Sequence, residues 1–112
     1  MTWKKTVLGY PICAELTMLD DGAQLLLTGG CKSHIGSVTV ADCDGAEQTI
    51  ALPGHKEAAV SASWAKELAK RLNCRVAVTC GIHYDQLSKE ELGQVLQGIH
   101  ALQQQILDAP LA

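Results

Sequence analysis

Histidine is the side chain best suited to chemistry near neutral pH. Three of the four histidines in this 112-residue chain stand in short glycine-bearing segments. The first segment is Gly29-Gly30-Cys31-Lys32-Ser33-His34-Ile35-Gly36. Its glycines admit positive φ and let the backbone approach a ligand closely. With Lys32 as a cation, the loop amides can form an anion-binding nest. Taken alone, the segment reads most simply as a glycine-rich hairpin loop with an exposed Lys and His. It matches neither the dinucleotide fingerprint nor the P-loop, both of which open a helix directly after a strand.

The second segment, Pro53-Gly54-His55-Lys56-Glu57, lies where a strand hands over to a helix. Free amides at a helix start attract anions, phosphate above all. Gly54 leaves room, while His55 and Lys56 supply donors and charge. A lysine there opposes the helix dipole, which a bound phosphate would explain. A plain Pro-Gly turn, with Glu57 offsetting Lys56, explains it equally well. The third segment, Thr79-Cys80-Gly81-Ile82-His83-Tyr84-Asp85, follows the C-terminal end of a strand, a common place for ligands. His83 and Asp85 can pair so that the carboxylate orients the imidazole; alternatively, Asp85 only caps the next helix. His100 falls within the final helix, solvent-facing or partly packed.

The cysteines, at positions 13, 31, 43, 74 and 80, are odd in number and lack a C-x-x-C pair. They make neither a disulfide framework nor a zinc-finger framework, and read as small hydrophobes in a reducing compartment. A thiol–imidazole centre from Cys31 and His34, or from Cys80 and His83, stays open, but no cysteine-enzyme signature is present. A metal held by His34, His55, His83 and Asp85 is conceivable. Metal-ligand spacing is absent, so the expectation is no metal ligands and no catalytic residues.

Positioning these segments is the task of the regular elements. Ile12 to Leu19 alternates with period two, Asp20-Asp21-Gly22 turns, and Gln24 to Thr28 returns. Ser37 to Ala41 and Glu47 to Leu52 flank a second turn at Asp42-Cys43-Asp44-Gly45; the role of Thr6 to Tyr10 is left open. From Lys56 to Asn73, Val60, Trp64, Leu68 and Leu72 recur four apart, as on an amphipathic helix. Cys74 to Cys80 reads as a strand. Ser88-Lys89-Glu90-Glu91 has capping-box form ahead of a stripe at Leu92, Val95, Leu96, Ile99, Leu102 and Ile106. The order β-β-β-β-α-β-α predicts a two-layer α+β fold over residues 1–112: one domain, a mainly antiparallel sheet and two helices on one face. The other sheet face then needs a cover, which dimerisation would supply.

Composition bounds the function. The apolar fraction is 47% and the charged fraction 19%, which argues against disorder. A formal net charge of −3 argues against general nucleic-acid binding. The longest aliphatic run, Leu25-Leu26-Leu27, is far short of the ~20 residues of a membrane helix. No signal peptide is visible, so a cytoplasmic protein without membrane contact is expected.

Together, Gly29-Gly30-x-Lys32-x-His34-Ile35-Gly36, Pro53-Gly54-His55-Lys56-Glu57, Gly81-Ile82-His83-Tyr84-Asp85 and Leu87-Ser88-Lys89-Glu90-Glu91 resemble the LpdD-like proteins. These are prenylated-flavin chaperones associated as small subunits with gallate-type decarboxylases. The resemblance runs from about Gly22 to about Leu107. It implies a proteasome-assembly-chaperone-like fold and a homodimer. It also implies a non-catalytic role binding prenylated FMN, or FMN, in support of the large subunit of a UbiD-type decarboxylase. By motif position, Gly30, Lys32 and His34 would meet the flavin or its phosphate; Gly54, His55 and Lys56 would hold the phosphate; His83 would complete the pocket. Tyr84 and Trp64 are the local candidates for stacking. The chain departs from the family at Cys31 and Ser33, where an acidic residue and a proline are more typical, so the loop loses rigidity and changes charge. Two other readings compete: an assembly subunit without a small-molecule ligand, and a small Cys/His or metal-dependent enzyme.

Overall fold

The computed structural model of the protein describes residues 1–53 and 57–111. The described residues form strands β1 (Thr2–Val7), β2 (Tyr10–Leu19), β3 (Gly22–Gly30), β4 (Ser37–Ala41) and β5 (Glu47–Ala51), helix α1 (Ala58–Leu72), strand β6 (Val76–His83) and helix α2 (Lys89–Asp108). This is the expected α+β fold with one strand added at the N-terminus. β1 turns into β2 through Leu8 (φ 52°) and Gly9 (φ 82°), the two positive-φ residues that a tight two-residue hairpin requires. β1 is an edge strand exposed along most of its length, so its sequence lacks the alternation that marks a half-buried strand.

The strands form one sheet in the order β1-β2-β3-β6-β4-β5. Every pairing is antiparallel except β3 with β6. Helix α1 carries the chain from the β5 edge back to β6, inserted between β3 and β4; a parallel neighbour needs such a crossover. One sheet face is buried under the helices. Ile12, Leu25, Leu27, Val76, Val78 and Cys80 pack there with Trp64 and Leu68 of α1 and Leu102 and Ile106 of α2. The buried hydroxyls on this face are paired: the Ser61 hydroxyl of α1 lies 2.9 Å from the Ser37 hydroxyl and 2.8 Å from that of Thr39, which also meets Thr49. The opposite face presents Val40 and Ile50 to solvent.

Element boundaries correct the expectation in two places. Gly81, Ile82 and His83 belong to β6, and Gly29 and Gly30 to β3, not to loops. Both strands run longer because each has the other as a parallel partner, pairing Gly30 with His83. The sixth strand starts at Val76, after Asn73 ends α1 in the left-handed region. The capping box of α2 is present as expected: Ser88 accepts from the Glu91 amide, and Glu91 accepts from the Ser88 amide. No helix among the described residues is long and apolar enough to cross a membrane.

Candidate functional site

The parallel pairing of β3 and β6 brings both C-terminal strand ends to the same end of the sheet, and with them the first and third histidine segments. Residues 31–36 leave β3 and pass over the end of β6 to reach β4. The Cys31 amide donates to the His83 carbonyl (2.9 Å), and the Gly36 amide donates to the Cys80 carbonyl (2.8 Å). The approach is close enough to demand glycine beneath it. A Cβ at Gly81 would overlap the His34 carbonyl, and one at Gly30 (φ 82°) would overlap the His83 carbonyl. The His34 and His83 rings consequently lie edge to face with centroids 6.1 Å apart.

Each ring has a carboxylate. His34 Nε2 lies 3.0 Å from Glu57 Oε1, and both side chains are largely buried. The other Glu57 oxygen, Oε2, is buried without a hydrogen-bond partner among the described residues. Glu57 stands at the N-cap of α1, yet its side chain turns to His34 instead of capping the helix. His83 Nε2 lies 2.8 Å from Asp85 Oδ1. Cys31 Sγ donates to Asp85 Oδ2 (3.5 Å) and to the His83 carbonyl (3.4 Å). The hydrogen bond from His83, then that from Cys31, hold the Asp85 carboxyl below the usual carboxylate range. Of the two roles left open for Asp85, it takes the pairing with His83, and the helix is capped by Ser88.

A cleft of about 310 Å³ opens beside this cluster, between α1, the end of β6 and α2. Val60, Ile82, Val95, Leu96 and Ile99 line it, with Glu57, His83 and Tyr84 as its polar members. Tyr84 is fixed by a hydroxyl that donates to the Val7 carbonyl (2.8 Å); burial pushes its pKa up. Leu92 and Leu96 belong to the expected helical stripe, but they are about half exposed at the cleft rather than sealed in the core.

Among the expected site residues, Gly30, His34 and His83 converge, and Lys32 is exposed on the same loop. Gly54, His55 and Lys56 lie outside the described residues. Trp64 is 2% exposed within the core and is not available to stack on a ligand. Cys80 faces the core, its thiol pushed up to about 12 chiefly by burial and secondarily by Glu57, so it forms no centre with exposed His83. Cys31 sits with His83 and Asp85. Its partnership with Asp85 was invisible in sequence because the two are 54 positions apart.

The model of the prenylated flavin chaperone LpdD-like domain matches residues 6–110 of the chain. The protein belongs to the LpdD-like family. It is 28% identical over 104 residues to Protein LpdD of Lactiplantibacillus plantarum, covering 88% of this chain and 76% of that protein. Its fold is similar to that of a chain in a chaperone complex for yeast 20S proteasome assembly, with a TM-score of 0.51 and 18% identity over 95% of this chain and 91% of that one. The LpdD-like match extends past the Gly22–Leu107 span of the motifs at both ends, into the β1–β2 hairpin and beyond α2. Membership supports a chaperone or accessory role.

Proposed function

We propose that this LpdD-like chain is a non-catalytic accessory protein that binds prenylated FMN, or FMN, and assists its supply to a UbiD-type aromatic acid decarboxylase or the maturation of that enzyme. The observation that carries this reading is the apolar cleft beside the His34–His83 cluster. Small-molecule sites span roughly 300–1,000 Å³, so a cleft of about 310 Å³ suits a fused ring system rather than a whole nucleotide. The ring would lie on Val60, Ile82 and Leu96 beside Tyr84, with His83 at the rim. The phosphate would lie outside, toward Gly30, Lys32 and His34, with Gly54, His55 and Lys56 as its further ligands by motif position alone. Lys32 would supply positive charge to the phosphate.

In this proposal the chain works in the cytoplasm as a homodimer. Its five free cysteines suit a reducing compartment, and a second copy would cover the sheet face bearing Val40 and Ile50. That same face supports a second reading, an assembly subunit without a small-molecule ligand.

Desalting after mixing micromolar protein with prenylated FMN or FMN tests the proposal. Retained flavin absorbance is expected for the wild type and loss of it for His83→Ala and for Lys32→Ala combined with His34→Ala. The loaded protein should activate apo-decarboxylase better than free cofactor does. Retention of neither cofactor overturns the reading. Decarboxylase association that persists in His34→Ala and Lys56→Ala, without flavin, establishes the second reading instead.

A further inference from the structure

Cys31, His83 and Asp85 each offer one ligand atom, and the three atoms lie within 4.8 Å of one another. We propose that these three side chains form a binding site for a zinc-class divalent transition metal. The donor set is one thiolate, one imidazole and one carboxylate, a combination typical of zinc and its borderline-soft neighbours and unlike the all-oxygen shells of calcium and magnesium.

The arrangement separates metal binding from nucleophilic catalysis. In a thiol–imidazole–carboxylate relay the imidazole stands between the other two, ready to take the thiol proton. Here Asp85 stands between: one carboxylate oxygen meets His83 Nε2 at 2.8 Å and the other accepts from Cys31 Sγ at 3.5 Å. Bond lengths of about 2.0–2.3 Å place two ligand atoms of a tetrahedral zinc ion ~3.3–3.7 Å apart. The present separations bracket that range, so loading needs side-chain adjustments of about an ångström. His83 and Asp85 can make them, being 45% and 76% exposed in their side chains.

The backbone beneath is already clamped. The Cys31 amide is tied to the His83 carbonyl, and Gly30 and His83 are register partners in the parallel pair. The distance between the Cys31 and His83 backbones is therefore set by the sheet, and Asp85 follows His83 by two residues. On binding, the thiol proton leaves to solvent and the sulfur–metal bond replaces the Cys31–Asp85 hydrogen bond. Three protein ligands leave one tetrahedral position for water or an external oxygen donor. The site does not depend on flavin binding, and its test uses none.

Cobalt(II) titration of the full chain under reducing conditions is the experiment. One equivalent should produce a sulfur-to-cobalt charge-transfer band with visible d–d bands of tetrahedral intensity, and one equivalent of zinc should displace both. Cys31→Ser should abolish the charge-transfer band. Asp85→Asn and His83→Ala should each weaken binding by on the order of tenfold or more, the scale on which even supporting partners of metal ligands act. Cys43→Ser, which removes the other exposed thiol, should change nothing. Urea midpoints of each variant, measured without metal, verify folding, and zinc should raise the wild-type midpoint but not that of Cys31→Ser. Absence of a charge-transfer band at stoichiometric cobalt, or its survival in folded Cys31→Ser, overturns the proposal.

Discussion

Replacing Gly81 with alanine tests whether the close passage of the 31–36 loop over β6 holds the site together. A Cβ at position 81 would fall on the carbonyl of His34, a backbone atom that cannot rotate away. β6 cannot yield either, because it is hydrogen-bonded between β3 and β4. The loop must therefore lift. Lifting strains or breaks the Gly36 amide bond to the Cys80 carbonyl (2.8 Å) and the His34–Glu57 contact (3.0 Å). Overpacking of this kind costs about 1–3 kcal/mol, and one lost hydrogen bond adds about 1 kcal/mol. The expected loss of ~2–4 kcal/mol is a large part of the 5–15 kcal/mol typical of a domain. At an m-value of ~2 kcal/mol/M, the urea midpoint falls by ~1–2 M. Gly93→Ala is the control: this exposed glycine of α2 has nothing near its missing Cβ, and alanine should stabilise the helix by up to ~1 kcal/mol. Flavin retention should drop in Gly81→Ala and hold in Gly93→Ala. A Gly81→Ala midpoint equal to wild type would refute the claim that close approach positions His34.

Four further outcomes are expected. Iodoacetamide labelling followed by mass spectrometry should modify exposed Cys31 and Cys43 first and buried Cys80 last. The Cys80 pKa is raised from 9.0 to about 12, so the folded state holds this proton more tightly than the unfolded chain does. Its contribution is present below pH 9 and lost as pH rises toward 12, and Cys80→Ala should flatten the alkaline fall in stability seen by circular dichroism. Ser88→Ala removes the side-chain acceptor at the start of α2 and should cost about 1 kcal/mol in urea unfolding. Ile50→Glu puts a charge on the open sheet face; light scattering should report a shift from dimer to monomer, and a mass unchanged from wild type would remove that face from the dimer proposal.

Local pattern made much of the fold legible in advance. Period-two alternation marked β2 and β4, the four-residue stripe marked α1, and serine with glutamate three residues later marked the start of α2, because each signal is short-range chemistry within one element. β1 escaped because an exposed edge strand has no buried face to alternate against. The stripe also overstated the core: Leu92 and Leu96 have the spacing of packed residues, yet none of the described residues seals that part of α2, and they line a cleft.

For the site, the sequence by itself determined the inventory: glycines able to accept close backbone approach, histidines beside them, Lys32 and Cys31. Tertiary structure decided the partnerships. Inserting β6 parallel to β3 aligned Gly30 with His83, which put Cys31 against Asp85 and His34 near His83. Helix α1 then delivered Glu57 to His34. Ligand spacing along a chain is informative only when the ligands share one element. These lie at or just past the ends of β3 and β6, far apart in the sequence, so their distance is a property of sheet order and register, which no local pattern encodes.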